Sequence, residues 1–117
     1  MSTIGAELVR VAVGEVDIAL AWRDDLTQQG GVLHAGVIAS IADSACGYAA
    51  LTLMPADSEV VSVEFKINLL APAAGSRFVA RGRVVRAGGT ITTTAADVFA
   101  GETLVATMLA TMMKRRK

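Results

Sequence analysis

Between Ala35 and about Met54, the residues Val37, Ile38, Ile41, Ala45, Tyr48, Ala49 and Thr52 recur at steps of three and four, which predicts a helix. No Gly-Pro punctuation interrupts the pattern until Pro55. The other side of this helix (Gly36, Ala39, Ser40, Asp43, Cys46, Gly47 and Ala50) is built almost wholly from small residues, so another backbone can approach it closely. A helix that is apolar or small all round is expected to be buried. That places Asp43 inside, where a carboxylate is costly unless it is paired, hydrogen-bonded or functional. Asp43 is the most informative anomaly in the chain.

Elsewhere the period is two. Residues 7–22 read as one or two strands around Gly14, followed by a polar loop over 23–33 with the pair Gly30-Gly31. In 59–70, Val61, Val63, Phe65, Ile67 and Leu69 are expected on one face, with Ser62, Glu64, Lys66 and Asn68 on the other. Strands continue over 76–86, 90–100 and 103–113, joined by short Gly-containing connections that imply antiparallel hairpins. The expectation is an α+β domain: strands, one central helix, then four antiparallel strands.

At 117 residues and 53% hydrophobic content, residues 1–117 are expected to form a single domain with a packed core. No apolar run reaches the length of a bilayer span, and the N-terminus lacks the features of a secretory signal, so no membrane association and a cytoplasmic location are expected. The single cysteine, Cys46, fits a reducing compartment and is expected to pack rather than react, because no base is evident beside it. The five methionines are read as core or pocket lining. Charge is uneven: residues 1–76 carry nine acids against Arg10, Arg23 and Lys66, and residues 77–117 carry eight bases against Asp97 and Glu102. A basic half could meet an anionic ligand, although a solvated strand face with a basic tail explains it as well. Nucleic acid is not expected as a partner, since the five aromatic residues do not interleave with the arginines.

The segment Gly31-Val32-Leu33-His34-Ala35-Gly36, with Asp43 seven residues further on, resembles the G-x-x-H-G-G…D motif of hotdog-fold acyl-CoA thioesterases of the phenylacetate-pathway (PaaI-like) type. Ser62-Val63-Glu64-Phe65, Leu70-Ala71-Pro72-Ala73 and Arg86-Ala87-Gly88-Gly89-Thr90 extend the likeness, which covers roughly residues 25–113. The resemblance implies a curled antiparallel sheet around one long helix and hydrolysis of acyl-CoA, with no metal or prosthetic cofactor. It also implies a homodimer or homotetramer with active sites between subunits. Asp43 would be nucleophile or general base, and the Ala35 and Gly36 amides would form the oxyanion hole. His34 would shape the loop, and Gln28 and Ser62 would orient substrate, water or the carboxylate. Arg86, Gly88, Gly89 and Thr90 would meet the CoA moiety. Two positions depart from the usual motif: Ala35 replaces a glycine, and Gln28 stands where many relatives have Asn. The competing readings are a non-catalytic acyl-CoA-binding module and a dehydratase or hydratase of the same fold.

Overall fold

A computed structural model describes the whole chain apart from Gln29, which lies in the expected 23–33 loop, and the side chain of Ser2. Strands β1 (Glu7–Ala12) and β2 (Glu15–Ala21) precede helix α1 (Ala35–Leu51). Four strands follow: β3 (Ser58–Leu69), β4 (Arg77–Ala87), β5 (Ile91–Ala100) and β6 (Thr103–Arg116). All pairings are antiparallel, in the order β1-β2-β4-β5-β6-β3, and the one long helix packs on a single face of this curled sheet. This is the hotdog arrangement that the resemblance implies, but β3 and β4 are not the hairpin expected across Gly75: β3 pairs with β6 at the sheet edge, and β4 lies between β2 and β5. Among the described residues, no helix is long and apolar enough to cross a membrane.

The helix is alanine-rich, and alanine is the best helix former. Its alanines also let it lie very close to the sheet. A Cβ built on Gly82 of β4 would stand 2.4 Å from the Ala45 carbonyl oxygen, so only glycine permits this approach. Ile38, Ile41, Ala42, Ala45, Cys46 and Ala49 bury against Val16, Ile18, Phe78, Ala96, Met108 and Met112 from the strands. Each large side chain so buried contributes about 1.5–3 kcal/mol.

Three further expectations change. The helix stops at Leu51 rather than Met54, because Leu53 and Met54 donate to Ala50 and Leu51 in tighter three-residue steps. The Thr52 hydroxyl is meanwhile taken by the Ala49 carbonyl at 2.7 Å and by Gly14 N–H at 2.7 Å. The helix is also not covered all round. Gly36, Ser40 and Tyr48 are exposed, with Asp43 and Ser44 half-buried, so an open stripe runs along its length.

The third change concerns β3, where a β-bulge at Val63 breaks the register between Ser62 and Glu64. Ser62 stands opposite Met112, whereas Phe65, Ile67 and Leu69 stand opposite Ala110, Met108 and Ala106. Opposed residues share a face, and all four of these β6 residues are buried under the helix. Ser62 therefore joins Phe65, Ile67 and Leu69 on the helix side, while Glu64 points away with Thr111, whose hydroxyl it accepts at 2.6 Å. An unbroken period of two would have turned Ser62 outward.

Candidate active site

The bulge brings Ser62 to Asp43. The Ser62 hydroxyl donates to Asp43 Oδ1 at 2.8 Å and lies 3.5 Å from Met112 Sδ. Asp43 Oδ2 accepts no hydrogen bond from the described residues, so one carboxylate oxygen is held and the other is open. Asp43 itself is half-buried, on the open stripe of α1.

A second group of the expected residues assembles at the start of α1. Leu26 and Leu33 anchor the preceding loop in the core, and Thr27 and Leu33 form a β-bridge. Gln28 N–H donates to the Val32 carbonyl at 2.9 Å. The tip needs Gly30 and Gly31, at φ +89° and +74°, where residues with a Cβ are strained. His34 is the N-cap, at φ −56° and ψ 139°. Its N–H donates to the Leu26 carbonyl at 2.9 Å, and its carbonyl accepts from Val37 and Ile38. The backbone of His34, and not its exposed imidazole, thus orders the turn into the helix. Beyond it, the exposed Ala35 and Gly36 N–H groups have no partner among the described residues and stand at the positive end of the helix dipole.

The two groups are separate within one chain. Ala35 and Asp43 are eight residues apart on one helix, which at 1.5 Å per residue is about 12 Å. Gln28 and Ala35 share one half-site, and Asp43 and Ser62 the other.

Of the expected CoA contacts, Arg86 is an exposed residue of β4 opposite Thr93, and the other three lie just beyond it. Gly88, Gly89 and Thr90 form the exposed β4–β5 turn, where Gly88 N–H donates to Ile91 and the Thr90 carbonyl accepts from Lys114, each at 2.9 Å. Thr92, Met112 and Ser62 lie in one cross-strand row, so this turn is at the Asp43 end of the sheet. Arg81 and Arg83 are instead on the outer face, away from the helix. Arg81 lies between Asp17 and Asp97 and sits 5.0 Å above the Phe99 ring. Arg83 faces Glu15 across the strands and reaches Asp97 at 3.3 Å. The acidic first half and basic second half of the sequence are interleaved, because β2 pairs with β4 and β3 with β6. Among the described residues, no three His, Cys, Asp or Glu side chains come together to hold a metal ion.

Cys46, one helical turn beyond Asp43, is buried, and burial pushes its thiol up to about 11. A neutral thiol at physiological pH is packing material, as expected.

A sheet wrapped on a helix, with a carboxylate at mid-helix and free amides at the helix start, is an arrangement suited to acyl transfer. The thioesterase superfamily model matches residues 30–107, and the chain belongs to that family. A candidate esterase of Saccharolobus solfataricus is 34% identical over 88 residues, covering 75% of this chain and 62% of its own length. The chain thus spans about three fifths of the length of the curated relatives it matches. Among solved structures, a thioesterase family protein from Silicibacter pomeroyi superposes with a TM-score of 0.97 at 44% identity, over 100% of this chain and 89% of that one. A mutant of the phenylacetic acid degradation protein PaaI from Thermus thermophilus gives 0.88 at 26% identity, over 97% and 96%.

Proposed function

We propose that residues 1–117 act as one cytoplasmic domain that hydrolyses aryl- or medium-chain acyl-CoA thioesters to free acid and CoA, at a site shared between two copies of the chain. The observation that carries this reading is the separation of the two half-sites. A carboxylate that attacks a carbonyl carbon, or activates the water that does, must lie within about 3–3.5 Å of the reacting atoms. The amides that stabilise the oxyanion must lie 2.7–3.1 Å from its oxygen. If these residues play those roles, about 12 Å of helix between them favours a site made from two chains.

A two-fold partner removes the difficulty. Strand β3 is an edge strand of 12 residues with one side of its backbone unpaired. Several of its side chains are apolar and open: Val63, Phe65 and Leu69, with Leu70 just beyond the strand, are between 44% and 56% exposed. Long, apolar, unprotected edges invite pairing. An antiparallel β3–β3 pairing would set two α1 helices side by side in opposite directions, with Asp43 of one copy beside Ala35 and Gly36 of the other. Further association to a tetramer is compatible with this pairing.

In the shared site the thioester oxygen would lie against the Ala35 and Gly36 amides, with the Gln28 side chain beside them. Asp43 of the other copy either attacks the carbonyl carbon or takes a proton from the attacking water. In the first route the C–S bond breaks, CoA leaves as thiolate, and water then hydrolyses the acyl–aspartyl anhydride. Ser62 steadies the carboxylate through Oδ1 and leaves Oδ2 to react. Arg86, Gly88, Gly89 and Thr90 are proposed as CoA contacts, from their place at the Asp43 end of the sheet.

Asp43→Asn tests the assignment. The amide preserves size but neither attacks nor accepts the proton, so kcat should fall by at least 10²-fold with KM little changed. Near-normal turnover by the variant would overturn the role of Asp43. Wild-type protein that binds acyl-CoA without turning it over would point to a binding module.

A further inference from the structure

Within β5 and residues 103–113 of β6, Asp97 is the sole charged residue. Thr94, Ala96 and Val98 face the helix opposite Ala110, Met108 and Ala106, and all six are buried. The positions between them lie on the outer face of the sheet, and these too are mostly apolar or small. Ile91, Leu104 and Leu109 are 44%, 37% and 55% exposed there, with Phe99 and Met113 half-buried beside them. A sheet face that meets water alternates with charged side chains, whereas runs without that alternation belong to strands covered on both faces. The neighbouring strands do keep the alternation. Outward positions of β2 and β4 hold Glu15, Asp17, Arg81 and Arg83, and those of β3 hold Glu64 and Lys66. An apolar centre inside a charged frame is the build of an interface.

The frame also tells what kind of surface fits it. Arg10, Arg81 and Arg83 border one hollow of about 520 Å³ together with Glu15, Asp17 and Asp97, so its formal charge is balanced. Arg10 pairs with Glu15 at 2.8 Å and Arg83 with Asp97 at 3.3 Å. Such a surface offers no net attraction to a nucleic acid, a phosphate group or an anionic membrane. It matches a surface that carries both signs around the same apolar centre, as a second copy of this chain does.

The area suffices. Ten-residue strands are about 33 Å long and four of them about 19 Å wide, so β4, β5, β6 and β3 present about 600 Å² of outer face, and a β3-paired dimer about twice that. If half of it meets an equal layer, the total buried is about 1,200 Å², where specific interfaces begin. The opposite side of the sheet does not serve, because the open stripe of α1 carries Asp43, which substrate has to reach.

We propose that two β3-paired dimers associate through the outer faces of their sheets, β5 and β6 of one layer on those of the other, with the helices and the shared sites facing outward. This rests on the β3-paired dimer of the reading above and adds the surface that joins two of them. Two sheets stacked face to face in this way bury the side chains of both inner layers, as in a sandwich.

Sedimentation velocity and native mass spectrometry on the full chain test it. The wild type should be a tetramer. Leu109→Glu puts a carboxylate at the centre of the contact, at a site 55% exposed in the single chain. It should keep the circular-dichroism spectrum of the fold, halve the mass to that of a dimer and retain turnover. Ile91→Lys should do the same and serves if Leu109→Glu does not fold. Tyr48→Glu, at a 39% exposed position of the helix face, should leave the tetramer intact. A wild-type dimer would overturn the outer-face association and leave the shared site standing, whereas a wild-type monomer would overturn both. A tetramer that persists in Leu109→Glu and Ile91→Lys, or that is lost only in Tyr48→Glu, would refute the proposal. Monomers from Leu109→Glu would refute it too, since the outer face rather than β3 would then hold the dimer.

Discussion

Gly82→Ala adds one methyl group where the helix meets the sheet, and the structure sets the consequence. The new Cβ would lie 2.4 Å from the Ala45 carbonyl oxygen, 2.5 Å from its carbon and 2.9 Å from its Cβ. Ordinary contact begins near 3.4 Å, so α1 must lift by about 1 Å. Two of the three obstructing atoms are backbone and cannot swing aside. Overpacking of this kind costs about 1–3 kcal/mol. For a chain of this size that corresponds to a fall in Tm of roughly 4–12 °C. Asp43 rides on the same helix two residues away, and a displacement near 1 Å in a catalytic group can reduce kcat about 10²-fold. Thermal unfolding by circular dichroism and turnover with free-thiol detection, on one preparation, give both numbers. A second substitution, Ala45→Gly, removes only the 2.9 Å contact and should restore little. Unchanged Tm and kcat in Gly82→Ala, or full rescue by Ala45→Gly, would refute the claim that backbone contact between β4 and α1 positions the carboxylate.

Ser62→Ala removes the hydrogen bond to Asp43 Oδ1. The bond is solvent-exposed, so its loss should cost stability no more than about 1 kcal/mol, a few degrees of Tm, whereas kcat should fall at least about tenfold as the carboxylate loses its fixed orientation, and Ser62→Thr should recover part of the activity. An unaltered kcat would show that Ser62 does not steady the carboxylate. Cys46 should resist alkylation at pH 8 in the native protein, and Cys46→Ala should retain turnover. Folding raises the thiol pKa from 9.0 to about 11, so this contribution to stability is complete below pH 9 and is lost as pH rises toward 11. Unfolding curves at pH 8 and pH 10.5 should diverge more for the wild type than for Cys46→Ala, and equal behaviour would contradict the buried neutral thiol.

Which features the sequence disclosed follows from the range of the interactions involved. Helix α1 was legible because three- and four-residue spacing and alanine content are local properties. The hairpins at Gly14 and Gly101 were legible because these glycines take positive φ at turns, whereas Gly75 joins β3 and β4, which stand apart in the sheet. Asp43 was visible as an ionisable residue in an otherwise apolar or small helix. Features that depend on pairing were not legible. The Val63 bulge reverses the face of half of β3, and no local pattern marks it; the period of two placed Ser62 with Glu64, away from the residue it holds. The charge asymmetry was real in the chain yet vanishes in space, since Asp17 faces Arg81 and Glu15 faces Arg83 across neighbouring strands. Nothing local marks Gly82, because its necessity lies in Ala45, 37 positions away in sequence. The run from Gln28 to Asp43 read as one continuous motif, but a helix converts that continuity into distance.

The shared site is tested most directly by subunit complementation. Ala35→Pro deletes one oxyanion donor at the first helical position, where proline is tolerated, and His34, at ψ 139°, already has the conformation that a residue before proline prefers. Both Ala35→Pro and Asp43→Asn should be nearly inactive alone. Unfolded together in equal amounts and refolded, they should form about half mixed dimers, each with one intact site and one doubly defective site. The account predicts that the mixture recovers about a quarter of wild-type kcat. Activity no greater than the average of the two parents, with mixed dimers shown by mass spectrometry to be present, would contradict it.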